Sequence, residues 1–175
     1  WTDSAQPVAY IQGEEGVGKS WVAASFAWER SDEHQSLCLW LDSAQWMDCK
    51  SLADAILGGF RNFENDEEKL DRLVKKALFR WNRPILLILD GANERGAVEA
   101  AQRILSDFFN IGKSHIRLLF TTRPLAGYKH YVNYLWSECR IVEVKGFDDS
   151  ELAEALLLQN LNLDDLPESI IEVAR

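Results

Sequence analysis

The sequence predicts a three-layer α/β fold: a central five-stranded, mostly parallel sheet flanked by helices. Two observations carry this expectation. Short, β-rich apolar runs at 8–12, 37–41, 85–89, 116–121 and 139–144 alternate with longer stretches of helical period, the pattern of a parallel sheet buried between two helix layers. The chain is also the right size, since 175 residues with 47% hydrophobic and 27% charged content suit one compact domain with a sizeable core.

In chain order, the first run leads to a predicted helix over 19–30, and the second run at 37–41 leads to helices over 51–60 and 66–81. In the last of these Leu70, Leu73, Val74, Ala77 and Leu78 form one stripe, with Lys69, Asp71, Arg72, Lys75 and Lys76 mostly opposite, so the helix is expected to pack flat on the sheet. Pro84 ends it and starts the third strand, because proline cannot continue a helix and biases its predecessor to extended geometry. Helices over 97–109 and 150–159 complete the alternation. Sheet patterning stops near Gly146, which divides an expected core of 1–146 from the start of a following helical segment at 147–175. The abrupt start at Trp1, and a helical pattern over 166–175 that runs to Arg175, lead us to expect a piece of a longer chain.

Composition excludes several classes of function. A net charge of -9 opposes a general electrostatic grip on nucleic acid, which needs clustered Lys and Arg. Cys38, Cys49 and Cys139 lack any pairing with metal-ligand spacing, so they read as reduced thiols of a cytoplasmic protein. The longest apolar run, Ile85–Leu89, is far too short to span a bilayer, and no signal-like core opens the chain. No membrane or nucleic-acid partner is expected.

Between the first run and its helix lies Gly13-Glu14-Glu15-Gly16-Val17-Gly18-Lys19-Ser20, which satisfies Gly-x-x-x-x-Gly-Lys-Ser/Thr in the strand, loop, helix context that this phosphate-binding motif requires. Gly13, Gly16 and Gly18 are expected to adopt backbone angles closed to other residues, turning successive N–H groups inward around a β-phosphate. The helix adds its positive dipole end. Lys19 is placed to reach the β- and γ-phosphates and the Ser20 hydroxyl to complete a Mg²⁺ shell, and every residue from Gly13 to Ser20, with Glu14, Glu15 and Val17 among them and Trp21 directly after, is expected to contact the nucleotide. Together these define a P-loop NTPase core, of the RecA/ASCE-like kind, with ATP or ADP and Mg²⁺ as cofactors.

The run 85–89 ends in Asp90, the pattern that sets a Mg²⁺-holding carboxylate beside the Ser20 hydroxyl. Glu94 is the acid placed to orient and deprotonate an attacking water, and Asn93 is placed to position that water through its amide, so both assignments stay open. The fourth run ends Thr121-Thr122-Arg123-Pro124, and a strand beside the Asp90 strand is expected to deliver these polar residues to the γ-phosphate edge of the site. Arg123 has two readings, a group that senses or neutralises γ-phosphate charge and an arginine paired with a surface carboxylate.

Three blocks, GEEGVGKS at 13–20, ILLILDGANE at 85–94 and LLFTTRP at 118–124, resemble those of the STAND signal-transducing ATPases, and within them the NACHT-like and NB-ARC-like modules. The likeness covers 8–159, and 142–158 resembles the family's passage from the last strand into the next helical module. It implies a nucleotide-gated switch, slow in hydrolysis, that docks on adjoining domains and self-associates on activation, as in innate-immunity, cell-death and antiviral-defence proteins. Asn93 stands where the family's first following acid is usual.

Competing classes are a conventional P-loop enzyme, such as an AAA+ type remodelling ATPase, and an interaction scaffold that has lost hydrolysis. A guanine-reading NKxD motif is absent after the fourth run. Trp21, Trp28, Trp40, Trp46, Trp81 and Trp136 are read as packing residues rather than base-stacking platforms, with Trp21 and Trp28 on one helix face. His34, His115 and His130 are read as ordinary histidines. The stretch 128–134 reads equally as a base or subunit contact and as a surface helix.

Overall fold

A computed structural model of the chain describes residues 6–32, 36–62, 64, 66–80, 84–94, 96–111, 115–124, 139–146, 148–158 and 168. The expectations for Trp81, Trp136, His34, the 128–134 stretch and most of 166–175 lie outside these residues. The elements run β1 (Val8–Gln12), α1 (Lys19–Asp32), β2 (Leu37–Leu41), α2 (Ser43–Trp46), α3 (Leu52–Arg61), α4 (Glu67–Phe79), β3 (Ile85–Leu89), α5 (Ala97–Ile111), β4 (Ile116–Thr122), β5 (Cys139–Glu143) and α6 (Asp149–Leu158). All five predicted strands and all five predicted helices are present; α2 was not predicted.

The sheet order is β2-β3-β4-β1-β5, and every pairing among the described residues is parallel. Strand alternation sorts side chains into two cores. Val8, Tyr10, Leu39, Leu41, Leu87, Leu89, Leu118 and Phe120 point toward α2, α3, α4 and α5. Ala9, Ile11, Leu86, Ile88 and Leu119 point toward α1, meeting Ala23, Phe26 and Ala27. Among the inner strands β3 is apolar and buried at every position, while β1 and β4 turn polar at their C-terminal ends, at Gln12 and at Thr121 and Thr122. At the edge, β5 is exposed beyond Cys139.

Local signals set the helix starts. Asp42 caps α2 by accepting from Gln45 N at 2.9 Å, while Gln45 Oε1 accepts from Asp42 N at 3.0 Å, a reciprocal capping box. Ser51 caps α3 through Asp54 N. Asp66 caps α4, and the Lys69 and Glu68 amides it receives hold its carboxyl below the usual aspartate range. Asp148 takes the Ser150 and Glu151 amides ahead of α6.

The apolar stripe of α4 is buried at Leu70, Val74, Ala77 and Leu78 and half-buried at Leu73. The helix does not lie flat on the sheet as expected: it packs chiefly on α3, which itself covers β2. The physical reason is that Gly58 and Gly59 bring α3 within Cβ contact distance of Leu41 and Leu39, so α3 takes the place next to the strands. His115, just before β4, lies with Nε2 2.8 Å from the Ala77 carbonyl, a satisfied histidine as expected.

Candidate phosphate-binding site

The sheet order decides what meets the loop between β1 and α1. With β4 between β1 and β3, the C-terminal ends of all three strands open on one side, the edge at which ligands bind in open α/β sheets. Gly16 and Gly18 have φ of 85° and 84°, the left-handed region that an L side chain rarely adopts, so these two turn the loop as the sequence led us to expect. Gly13 is needed for another reason. Its φ is not left-handed, and a Cβ there would lie 2.4 Å from the Val144 carbonyl and 2.7 Å from Val17 Cγ2. It lets the loop pass against the chain leaving β5, tied by Gly13 N to Thr122 O and Val144 N to Gln12 O.

Ser20, in the first turn of α1, donates to Asp90 Oδ1 at 2.9 Å and reaches Oδ2 at 3.0 Å. The Asp90 carboxylate also accepts from the Thr121 hydroxyl of β4, and that hydroxyl in turn accepts from Gly91 N at 2.9 Å. Behind it, the fully buried Trp46 of α2 donates from Nε1 to the Asp90 carbonyl at 2.9 Å and packs edge-on against Phe120. Asp90 is thus held at its backbone, through its side chain and by the amide that follows.

Lys19 donates to the Glu14 carbonyl at 2.5 Å. Burial, then the nearby Arg123 guanidinium, lower its pKa below the ordinary lysine value, while Glu14, Asp90 and Glu15 act in the opposite sense. Arg123, one residue past β4, places Nη2 2.6 Å from Glu15 Oε2 of the loop. Its backbone N–H donates to Asn93 Oδ1 at 3.1 Å. Glu94 turns to α2 instead, accepting from Ser43 Oγ at 2.5 Å.

Of the residues singled out in the sequence, Gly13, Glu15, Gly16, Gly18, Lys19, Ser20, Asp90 and Arg123 gather around the loop. Glu14 contributes its carbonyl and Val17 packs under Gly13. Trp21, directly after the loop, is 75% exposed on α1, as is Trp28 at 74%. Ser43 and Trp46 were missed as site residues, with no local signal to mark them, whereas Thr121 arrives beside Asp90 from the neighbouring β4, as the polar end of the fourth run implied. Beside the loop, a cavity of about 470 Å³ is lined by Gln12, Gly13, Glu15, Val17, Pro124 and Val144, among others.

The donor set fits the groups that the motif implies. A loop turned by Gly16 and Gly18, an ammonium and a helix N-terminus suit a polyphosphate, and a hydroxyl beside a carboxylate suits Mg²⁺, which takes few protein oxygens and shares the phosphates. A cluster of three or more His, Cys, Asp or Glu ligands does not occur among the described residues, and such a shared ion does not need one.

A parallel sheet of this order, with the loop at the end of β1 and the acid at the end of β3, defines a P-loop NTPase nucleotide-binding domain. The NACHT domain family model matches residues 7–161, and the chain belongs to that family. No curated protein matches the sequence. Among solved structures, Cdc6p from Pyrobaculum aerophilum matches with 13% identity and a TM-score of 0.57, covering 86% of this chain and 42% of that one. Drosophila ORC bound to DNA matches at 12% and 0.56 over 89% and 42%, and the Aeropyrum pernix ORC1 protein in complex with DNA at 15% and 0.55 over 90% and 44%. These likenesses show the fold, and the chain spans less than half the length of each of those proteins. Among the described residues no helix is long and apolar enough to cross a membrane.

Proposed function

We propose that this domain is the ATP/ADP-binding switch of a STAND-type signalling ATPase, Mg²⁺-dependent and slow in hydrolysis, whose nucleotide state governs docking on adjoining domains and self-association. The observation that carries the reading is the meeting of the Ser20 hydroxyl with the Asp90 carboxylate beside a loop turned by Gly16 and Gly18. In this reading Lys19 and the loop from Gly13 to Ser20 hold the phosphates, and Ser20 with Asp90 holds Mg²⁺, which when bound supplies charge neutralisation between the phosphate oxygens. Arg123 faces the terminal phosphate. Glu94 orients the attacking water and accepts its proton, and its Ser43 partner fixes where that carboxylate waits. The cavity beside Gly13 has the size of a small-molecule pocket and suits a nucleoside.

We take 1–146 as the nucleotide-binding core and 147–175 as the start of a following helical segment. The family membership and the three sequence blocks support a role in defence or cell-death signalling in the cytoplasm. Calorimetric titration of the full chain with MgATP and MgADP tests the core of this: both bind, and Lys19→Ala abolishes binding. Absence of binding, or an unchanged Lys19→Ala variant, overturns it. Glu94→Gln is expected to keep ATP binding and lose turnover; unchanged turnover removes Glu94 from the mechanism.

A second reading, an AAA+ type remodelling ATPase acting on nucleic acid, is favoured by the likeness to two DNA-bound proteins. The net charge of -9 weighs against it. Turnover strongly stimulated by DNA would establish it over the switch.

A further inference from the structure

The phosphate loop carries two carboxylates, Glu14 and Glu15, on a surface otherwise built to attract anions. A carboxylate there opposes a polyphosphate unless a cation balances it. For Glu15 that cation is Arg123, 2.6 Å away. The pairing is not a chance meeting of two long side chains, because the Arg123 backbone is anchored by Asn93 Oδ1 at 3.1 Å, on the same loop that follows Asp90. Asn93, the residue at which this chain departs from the acidic pattern, is therefore a positioning residue that sets the root of the Arg123 side chain. The 2.6 Å contact with Glu15 also holds the guanidinium against the phosphate loop itself.

We propose that Glu15 is a specificity-determining residue that competes with the terminal phosphate of a nucleoside triphosphate for Arg123. The inference rests on reading the site as an ATP/ADP switch. A triphosphate engages Arg123 only by drawing the guanidinium off Glu15, and Asn93 confines that exchange to rotation of the side chain. A diphosphate, lacking the terminal group, leaves the Glu15–Arg123 pair intact. The pair thus tilts the domain toward the diphosphate-bound state, and the two loop carboxylates cease to be an electrostatic anomaly: one of them is the competitor.

The test is a double-mutant cycle on the full chain, with MgATP and MgADP affinities measured by calorimetry for wild type, Glu15→Gln, Arg123→Gln and the double variant. An exposed ion pair of this kind supports a change of about twofold to fivefold. Glu15→Gln is expected to tighten MgATP by that factor while MgADP stays within about twofold, and the change in selectivity is expected to vanish when Arg123 is already Gln. An unchanged ATP to ADP ratio in Glu15→Gln overturns the proposal. So does a ratio that shifts equally in the Arg123→Gln background, because that result makes Glu15 a direct repeller of phosphate rather than a competitor for the arginine. If wild type binds neither nucleotide, the switch reading itself has failed; binding of both with no coupling between the two residues sinks this proposal alone. Melting temperatures of all four proteins separate affinity changes from loss of fold.

Discussion

Gly13→Ala is the sharpest test of how the loop is seated. The new Cβ would stand 2.4 Å from the Val144 carbonyl oxygen, whereas ordinary contact begins at 3.4 Å, so the neighbour must retreat by about 1 Å. That oxygen belongs to backbone and has no rotamer to change. The chain around it is tied by Val144 N to Gln12 O at 2.7 Å and Gly13 N to Thr122 O at 3.2 Å, so the retreat strains the ends of β1, β4 and β5 together. Overpacking of this kind costs about 1–3 kcal/mol. Taking about 2 kcal/mol for a domain of this size, the melting temperature falls by roughly 4–8 °C. Gly18→Ala is the contrast, since nothing lies within 4 Å of its Cβ and only the φ of 84° opposes the side chain, a cost of about 1–2 kcal/mol. Differential scanning calorimetry of both variants decides the matter. A Gly13→Ala protein that melts with wild type would refute the steric argument.

Trp46→Phe keeps most of the ring packing but leaves the Asp90 carbonyl without its indole donor. It is expected to lower stability by about 1–3 kcal/mol, read from the urea midpoint; an unchanged midpoint refutes the role given to that bond. Lys19 has a folded-state pKa below the ordinary 10.5, so the folded chain disfavours its charged form, and that penalty is relieved as pH rises from the lowered value towards the ordinary one. A bound polyphosphate favours the charged form, so nucleotide affinity should fall as pH climbs through the lowered value, with proton uptake on binding seen as a buffer-dependent calorimetric heat. Lys19→Arg should remove that slope, and a slope that survives assigns it elsewhere. Ser51→Ala removes the acceptor for Asp54 N at the start of α3, and thermal melts should show a loss of about 1 kcal/mol.

Features encoded by nearby residues were legible in the sequence. The apolar runs are strands because both faces of the sheet are covered, and the Gly13–Ser20 spacing announces its own turn. Asp90 at the end of the most apolar run reaches Ser20 as that pattern implied. What escaped prediction depends on which strands become neighbours. Ser43 meets Glu94 across 51 residues and Trp46 meets the Asp90 carbonyl across 44; only the 31-residue pairing of Thr121 with the Asp90 carboxylate was implied beforehand, by the expected neighbourhood of the third and fourth runs. Each pairing follows from β3 lying between β2 and β4. A helix of four residues such as α2 is too short to display a period. The two uses proposed for the 93–94 pair were left open by the residues alone, and the structure gives them different neighbours, Arg123 N for Asn93 and Ser43 for Glu94. Gly13 was expected to serve through its backbone angle, whereas a chain crossing from β5 demands its missing side chain.

The sheet order also governs the timing of assembly. Strand β1 borders only β4 and β5, so Val8 must wait for Leu118 before it has any partner in the ladder. At ribosomal speeds of about 5–20 residues per second, that interval is roughly 5–20 s, during which β2 and β3 are free to join each other first. The Gly13–Ser20 segment is thus synthesised well before the strand that frames it, so a nascent chain halted before β4 would carry the full motif with no site to use it in.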